Sequence, residues 1–220
     1  MIKFNGITEK KLGILIKEPH HIVGRAPLKI EKTDIEGSSE QIYAELGYSS
    51  IEKSFDVQIL DVSKVDDLLK LFTGRVKLEY QGRYTFGHFY SQIDIRRVVT
   101  IREAKVTFIR DAFWYVEDDF DENSTNSGTV FSEPIIRLKK NLSSKVDISV
   151  NGTRFEYEFP DEEDYVLIDC QTKNATFENL LRNRRLKIGW EYPKFHVGNN
   201  EVRLHAGDCT VSFRRKDRWL

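Results

Sequence analysis

Alternating acidic residues are the first pattern in this chain whose spacing could do chemistry. Asp119, Asp121 and Asn123 fall at the first three ligand positions of a calcium loop, where oxygen donors at alternate positions wrap a hard cation. The pattern then fails. Ser124 stands where the loop needs glycine for its sharp turn, and Val130 where a bidentate glutamate closes the shell. A second acidic group, Asp161-Glu162-Glu163-Asp164, follows Pro160 at the end of a strand pattern and reads as a solvated turn. Both clusters sit in loops with nothing to raise one carboxyl pKa, so neither supports glycoside hydrolysis.

Nucleophiles are no better placed. Cys170 and Cys209 lie inside apolar strand patterns, which reads as free buried thiols rather than activated ones, with a disulfide between them as the alternative. The five histidines are scattered apart from His20-His21, and no glycine pattern joins a strand to a helix as a phosphate cradle would require. Two basic runs, Arg182 to Lys187 and Arg214 to Arg218, read as solvated faces or as contacts to the acidic segments. Trp190 and Trp219 could stack on a sugar, and packing accounts for them equally well. The expectation is a protein without catalytic activity, metal or cofactor.

The elements that carry these residues are mostly strands. A helix is signalled once: Ser63 as cap, Asp66 and Asp67 in the first turn, Gly74 as stop, with Val65, Leu68, Leu69 and Phe72 on one stripe. Before it, residues 28–59 read as a long arm, two extended stretches around the polar tip Asp34-Ile35-Glu36-Gly37-Ser38-Ser39. Strands follow at Val76 to Tyr80, Tyr84 to Tyr90 and Val98 to Ile109. In the second half, strict alternation on either side of Asn151-Gly152 predicts a hairpin with a type I′ turn. Tyr165 to Asp169 predicts a further strand, and Val202 to Leu204 is expected to pair with Cys209 to Phe213 across Ala206-Gly207-Asp208.

Between these halves the stretch from Val116 to Thr129 is acidic and then small and polar, which predicts a linker at 123–128 between domains at 1–122 and 129–220. With 34 basic and 35 acidic side chains, the charges cancel to a formal −1, so no bulk field draws the chain to nucleic acid or an anionic membrane. No apolar run approaches the roughly 18 residues of a membrane span and no secretory core is present at the start, so synthesis and folding in cytosol are expected.

The order of elements resembles a known family. Phe4-Asn5-Gly6, the arm with its Glu36-Gly37 tip, the helix, and the motif from Val106 to Tyr115 precede the polar stretch. Ser132-Glu133-Pro134, Val150-Asn151-Gly152, Ile168-Asp169-Cys170 and Pro193-Lys194-Phe195-His196-Val197-Gly198-Asn199-Asn200 follow it in order. The chain is similar to the distal tail proteins of long-tailed phages, or prophages, of Gram-positive bacteria. The resemblance implies a mainly β protein with an N-terminal β-sandwich or split-barrel ring domain and a C-terminal galectin-like β-sandwich. It further implies a hexameric ring at the distal end of the tail, made in the host cytoplasm, with the genome passing through its channel without specific binding. The arm would wrap onto the neighbouring subunit, with Ile42, Tyr43, Leu46 and Tyr48 as interface residues. The ring would join the tail tube protein to the tail-associated hub protein, and the outer domain could dock a receptor-binding protein. The competing class is a carbohydrate-binding module for cell-wall polysaccharide, with Trp190 and Trp219 as sugar contacts and His196, Asn199 and Arg203 as the nearest polar set.

Overall fold

The computed structural model describes residues 1–34, 36, 37, 40–98 and 101–220, and forms two compact units, Met1–Trp114 with Leu220, and Tyr115–Trp219. Ile35, Ser38 and Ser39 of the expected arm tip, and Val99 and Thr100 of the expected strand from Val98, lie outside the described residues.

The first unit is an antiparallel sheet curled as a half-barrel. Its strands are β1 (Ile2–Phe4), β2 (Ile7–Thr8) and β3 (Ile14–Ile16), then β4 (Leu28–Asp34), β5 (Gln41–Tyr48), β6 (Ile51–Ile59), β7 (Gly74–Tyr80), β8 (Arg83–Phe89), β9 (Ile95–Val98) and β10 (Ile101–Arg110). The main path runs β2-β1-β7-β8-β10-β6-β3, with β9 also on β10. Among the described residues, β4 and β5 pair only with each other, as a separate two-stranded ribbon. This corrects the expected arm. β4 and β5 form it, whereas β6 is an inner strand whose Phe55, Val57 and Ile59 alternate into the core. Those three apolar side chains at period two are a burial signal that the wider 28–59 reading passed over.

A short helix, α1 (Glu9–Leu12), is capped by Thr8, whose Oγ1 accepts from the Lys11 N–H at 3.4 Å. The predicted helix is α2 (Val65–Leu71). Asp61 rather than Ser63 opens it: the Asp61 carboxylate accepts from the Ser63 N–H at 3.1 Å and hydroxyl at 2.6 Å, starting a 3₁₀ turn (Val62–Lys64) that runs into α2. Only Leu68 and the adjoining Phe72 are buried from the expected stripe. The Phe72 ring meets those of Phe4 and Phe89 at 5.2 Å and Phe55 at 5.9 Å, which fastens the helix to the sheet through edge-on and tilted aromatic contacts.

The boundary between the units falls inside a two-residue strand, β11 (Trp114–Tyr115). The second unit continues with β12 (Ile135–Lys140), β13 (Lys145–Val150), β14 (Thr153–Glu158), β15 (Tyr165–Asp169), β16 (Asn174–Phe177), β17 (Leu180–Leu181), β18 (Leu186–Ile188), β19 (Val202–Ala206), β20 (Cys209–Arg214) and β21 (Arg218–Trp219). It is a sandwich of two antiparallel sheets, β17-β16-β15-β12-β20 and β18-β14-β13-β19. Ile136, Leu138, Ile148, Phe155, Tyr157 and Phe213 fill the space between them. At the β13–β14 hairpin, Asn151 and Gly152 have φ of 48° and 82°, as a type I′ turn requires, and Val150 faces Thr153.

The expected pairing of β19 with β20 does not occur. β19 lies on β13 in one sheet and β20 on β12 in the other, so the chain changes sheets at Gly207. Gly207 has φ +86°, and a Cβ there would stand 2.3 Å from the Lys145 carbonyl oxygen, so the crossing needs both the left-handed backbone and the absence of a side chain.

The expected linker is also part of this unit. Asp121 exchanges two backbone hydrogen bonds with Phe213, and Asn126 does the same with Gly198. Asn126 is buried: its Nδ2 donates to the carbonyls of Val130 and Phe195 at 3.0 and 3.2 Å, and its Oδ1 accepts from the Gly128 N–H at 2.8 Å. Polar composition predicts a solvated tether, and here side-chain amides supply the partners that strands would take from a ladder.

Candidate interaction surfaces

In the arm, the ladder fixes which residues share a face. Thr33 lies opposite Ile42 and Glu31 opposite Ala44, so Ile42, Ala44 and Leu46 alternate along one face with Glu31, while Tyr43 sits on the other beside Lys32. Near the root the register shifts, with Leu28 opposite Tyr48, and the Tyr48 ring packs edge-on against Phe113 at 5.5 Å. The four proposed interface residues therefore part company. Ile42, Tyr43 and Leu46 are 57%, 57% and 61% exposed, whereas Tyr48 is half-buried and anchors the arm to its own unit. Three large apolar groups in water on one ribbon form the kind of patch that a partner covers.

The arm root is held from within by a residue that sequence reasoning passed over. Arg110 is fully buried, donates from Nη2 to the Gly24 carbonyl at 2.7 Å and lies 5.2 Å from the Trp114 ring. Burial pulls its pKa down to about 10. Lys53 Nζ donates to the neighbouring Val23 carbonyl at 3.0 Å, and burial together with the Arg110 charge lowers its pKa too. Two cations thus fix the backbone just ahead of β4. The alternation of β10 places Arg110 in phase with Phe108 and Val106, and that in-phase charge was the available signal.

In the second unit, Trp190 is 96% exposed after β18, and Trp219 is half-buried. Of the polar set named with them, the Asn199 and Arg203 side chains are engaged elsewhere and His196 is held through its backbone. The Asn199 side chain accepts from Thr125 Oγ1 at 2.9 Å, the His196 N–H donates to Asn200 Oδ1 at 2.7 Å, and Arg203 pairs with Glu201. On the outer face of β13, Asp147 binds the Arg154 guanidinium through Nε and Nη2, and His205 Nε2 lies 2.8 Å from Ser149 Oγ. Asp147 is held below the usual carboxylate range first by the Arg154 hydrogen bonds, with Coulombic attraction to Arg154, His205 and Lys145 adding to them.

The acidic clusters do structural work. Asp121 pairs with Arg215 at 3.0 Å and its Oδ1 accepts from the Asn123 N–H, while Asp118 accepts from the Lys216 N–H. The basic run from Arg214 therefore meets the acidic stretch inside one unit. Glu163, expected in a solvated turn, is buried: Tyr157 Oη donates to it at 3.0 Å and Arg182 Nε bonds its other oxygen. The period of four acidic residues gave no hint that one points inward. Cys170 is buried and Cys209 half-buried, both free; desolvation raises both thiols, Cys209 to about 11. Among the described residues no group of three or more His, Cys, Asp or Glu side chains is placed to hold a metal.

No family model and no curated protein matches the sequence. Solved structures do. The chain aligns with the crystal structure of the SPP1 Dit (gp 19.1) protein, described as a paradigm of the hub adsorption apparatus in Gram-positive infecting phages. That alignment covers 96% of this chain and 97% of Dit, with 12% identity and a TM-score of 0.72. Two structures of the phage P2 baseplate in its activated conformation, with Ca and with Sr, align at 10% and 11% identity over 91% of this chain and 90% of theirs, with TM-scores of 0.44 and 0.41. Over nearly its whole length, then, this chain has the fold of SPP1 Dit.

Proposed function

We propose that this chain is a structural distal tail protein of a siphophage or prophage, assembling as a hexameric ring that joins the tail tube to the tail-tip hub in the virion. The observation that carries the reading is the Dit fold spanning both units, 96% of the chain, rather than one domain that many proteins share. The arm supports it physically. A ring closed by rotation needs two different complementary surfaces per subunit, and a projecting ribbon with exposed Ile42, Tyr43 and Leu46 is suited to be one of them. The second unit would then be the outer, galectin-like domain, available to a receptor-binding protein.

Removing residues 29–47 and joining Leu28 to Tyr48 through a two-residue turn should leave a folded monomer, because that pair is already opposed in the ladder. Sedimentation and negative-stain images of the full chain should give rings that the deletion loses; rings formed equally well without the arm sink the assignment.

One observation favours a second reading, a carbohydrate-binding surface on the second unit. Trp190 is 96% exposed, and an indole in water is an available stacking platform for a sugar. Saturable binding of cell-wall polysaccharide that Trp190→Ala removes and Trp219→Ala leaves intact would establish it; absence of binding leaves the docking role.

A further inference from the structure

The first unit carries a cleft that the preceding reading does not use. It lies between α1, α2 and the start of β7, with a volume of about 550 Å³, and Leu68 and Val76 contribute to its apolar floor. Its rim is cationic: Lys11, Lys64, Lys70 and Arg75 surround it against a single acid, Asp67. Lys64 is drawn to Asp61 at 3.6 Å and to the Lys11 carbonyl at 2.8 Å, and Arg75 to Asp111 at 3.7 Å. Lys11 and Lys70 have no ion-pair partner among the described residues, so they are the charges left for a ligand. An apolar floor inside a positive rim selects an occupant that is apolar at its centre and acidic at its edge.

The same chain presents such a segment. Residues 28–48 carry five carboxylates against two lysines. The face that exposes Ile42 and Leu46 also carries Glu31 on the paired strand, whereas Glu45 alternates onto the face of Tyr43. We propose that this cleft receives the arm of a second copy of this chain, with Ile42 and Leu46 over the floor and Glu31 toward Lys11 and Lys70. The inference rests on the reading of the arm as a subunit contact and names the surface it meets. Arm and cleft are different patches of one subunit, so the contact is heterologous and propagates from copy to copy until rotation closes it. Charge complementarity sets the register, while the apolar side chains leaving water supply the attraction.

The test is a charge-swap cycle on the full chain, followed by sedimentation velocity up to about 1 mM, where even weak association is populated. Lys11→Glu/Lys70→Glu and Glu31→Lys should each weaken self-association by at least about tenfold through like-charge contacts, and the two sets combined in one chain should restore part of it. All three substituted positions are exposed, and an unchanged melting temperature for each variant separates lost docking from lost folding. If the cleft variant associates like the natural chain while deletion of 29–47 abolishes association, the cleft assignment is wrong and the arm reading stands. If the combined chain is no better than either parent, the pairing of these charges is wrong. A natural chain that stays monomeric throughout, or an arm-deleted chain that still associates, overturns the arm reading itself and this inference with it.

Discussion

Two hairpins of this protein start from similar patterns and end in opposite environments. In β13–β14, Val146, Ile148, Val150, Phe155 and Tyr157 enter the sandwich core, and even Asp147 and Ser149 on the other face are buried, under Arg154 and His205. In β4–β5, Ile42, Leu46 and Tyr43 face water from both sides of the ribbon. Alternation therefore specifies a strand and its register, but burial is conferred by what packs on each face. A ribbon with no second layer leaves its apolar side chains in water, and a ribbon between layers adds them to the core.

That contrast can be broken at several points. The largest effect belongs to the sandwich core: Phe155→Ala should cost about 3–5 kcal/mol in chemical denaturation, whereas Ile42→Ala or Leu46→Ala should stay within about 0.5 kcal/mol in the monomer and act only on assembly. A comparable loss at Leu46 would mean that the arm is packed on its own chain. Next comes Asn126→Ala, which strips three hydrogen bonds from a buried site and should cost about 2–3 kcal/mol. A fragment beginning at Thr129 lacks Asn126 altogether, so residues 115–220 should unfold cooperatively and at a higher temperature than residues 129–220; equal transitions would return the polar stretch to the status of a linker.

Smaller still is Tyr157→Phe, which deletes the hydroxyl donor to Glu163 and should lower stability by about 1 kcal/mol without altering assembly. The weakest perturbation is chemical. With its pKa raised to about 11, the Cys209 thiol is about one part in a thousand thiolate at pH 8, and alkylation of the native protein should be slow there and accelerate as pH approaches 11. Rapid labelling of Cys209 at pH 8 in the folded chain would contradict the burial described for β20.

Much of this protein was determined by sequence alone. The strands at Val76 to Tyr80 and Tyr165 to Asp169, the amphipathic helix α2 and the Asn151-Gly152 turn are local consequences of side-chain period and backbone preference, and the structure keeps them, whereas the one-turn α1 gave no such signal. The order of motifs carried the resemblance that the Dit fold matches. Where the reading failed, partners distant in the chain decided. Nothing near Glu163 announces Arg182, nothing near Asn126 announces Phe195, and β19 and β20 look like a hairpin until Gly207 sends them to different sheets. The polar stretch before Val130 looked soluble because its composition is, yet hydrogen bonds to residues more than sixty positions away fold it in. Local pattern sets what a segment can become, because φ/ψ preference and side-chain period act within a few residues. Which of its faces is buried, and which charges find partners, depends on contacts that exist only once the chain has closed on itself.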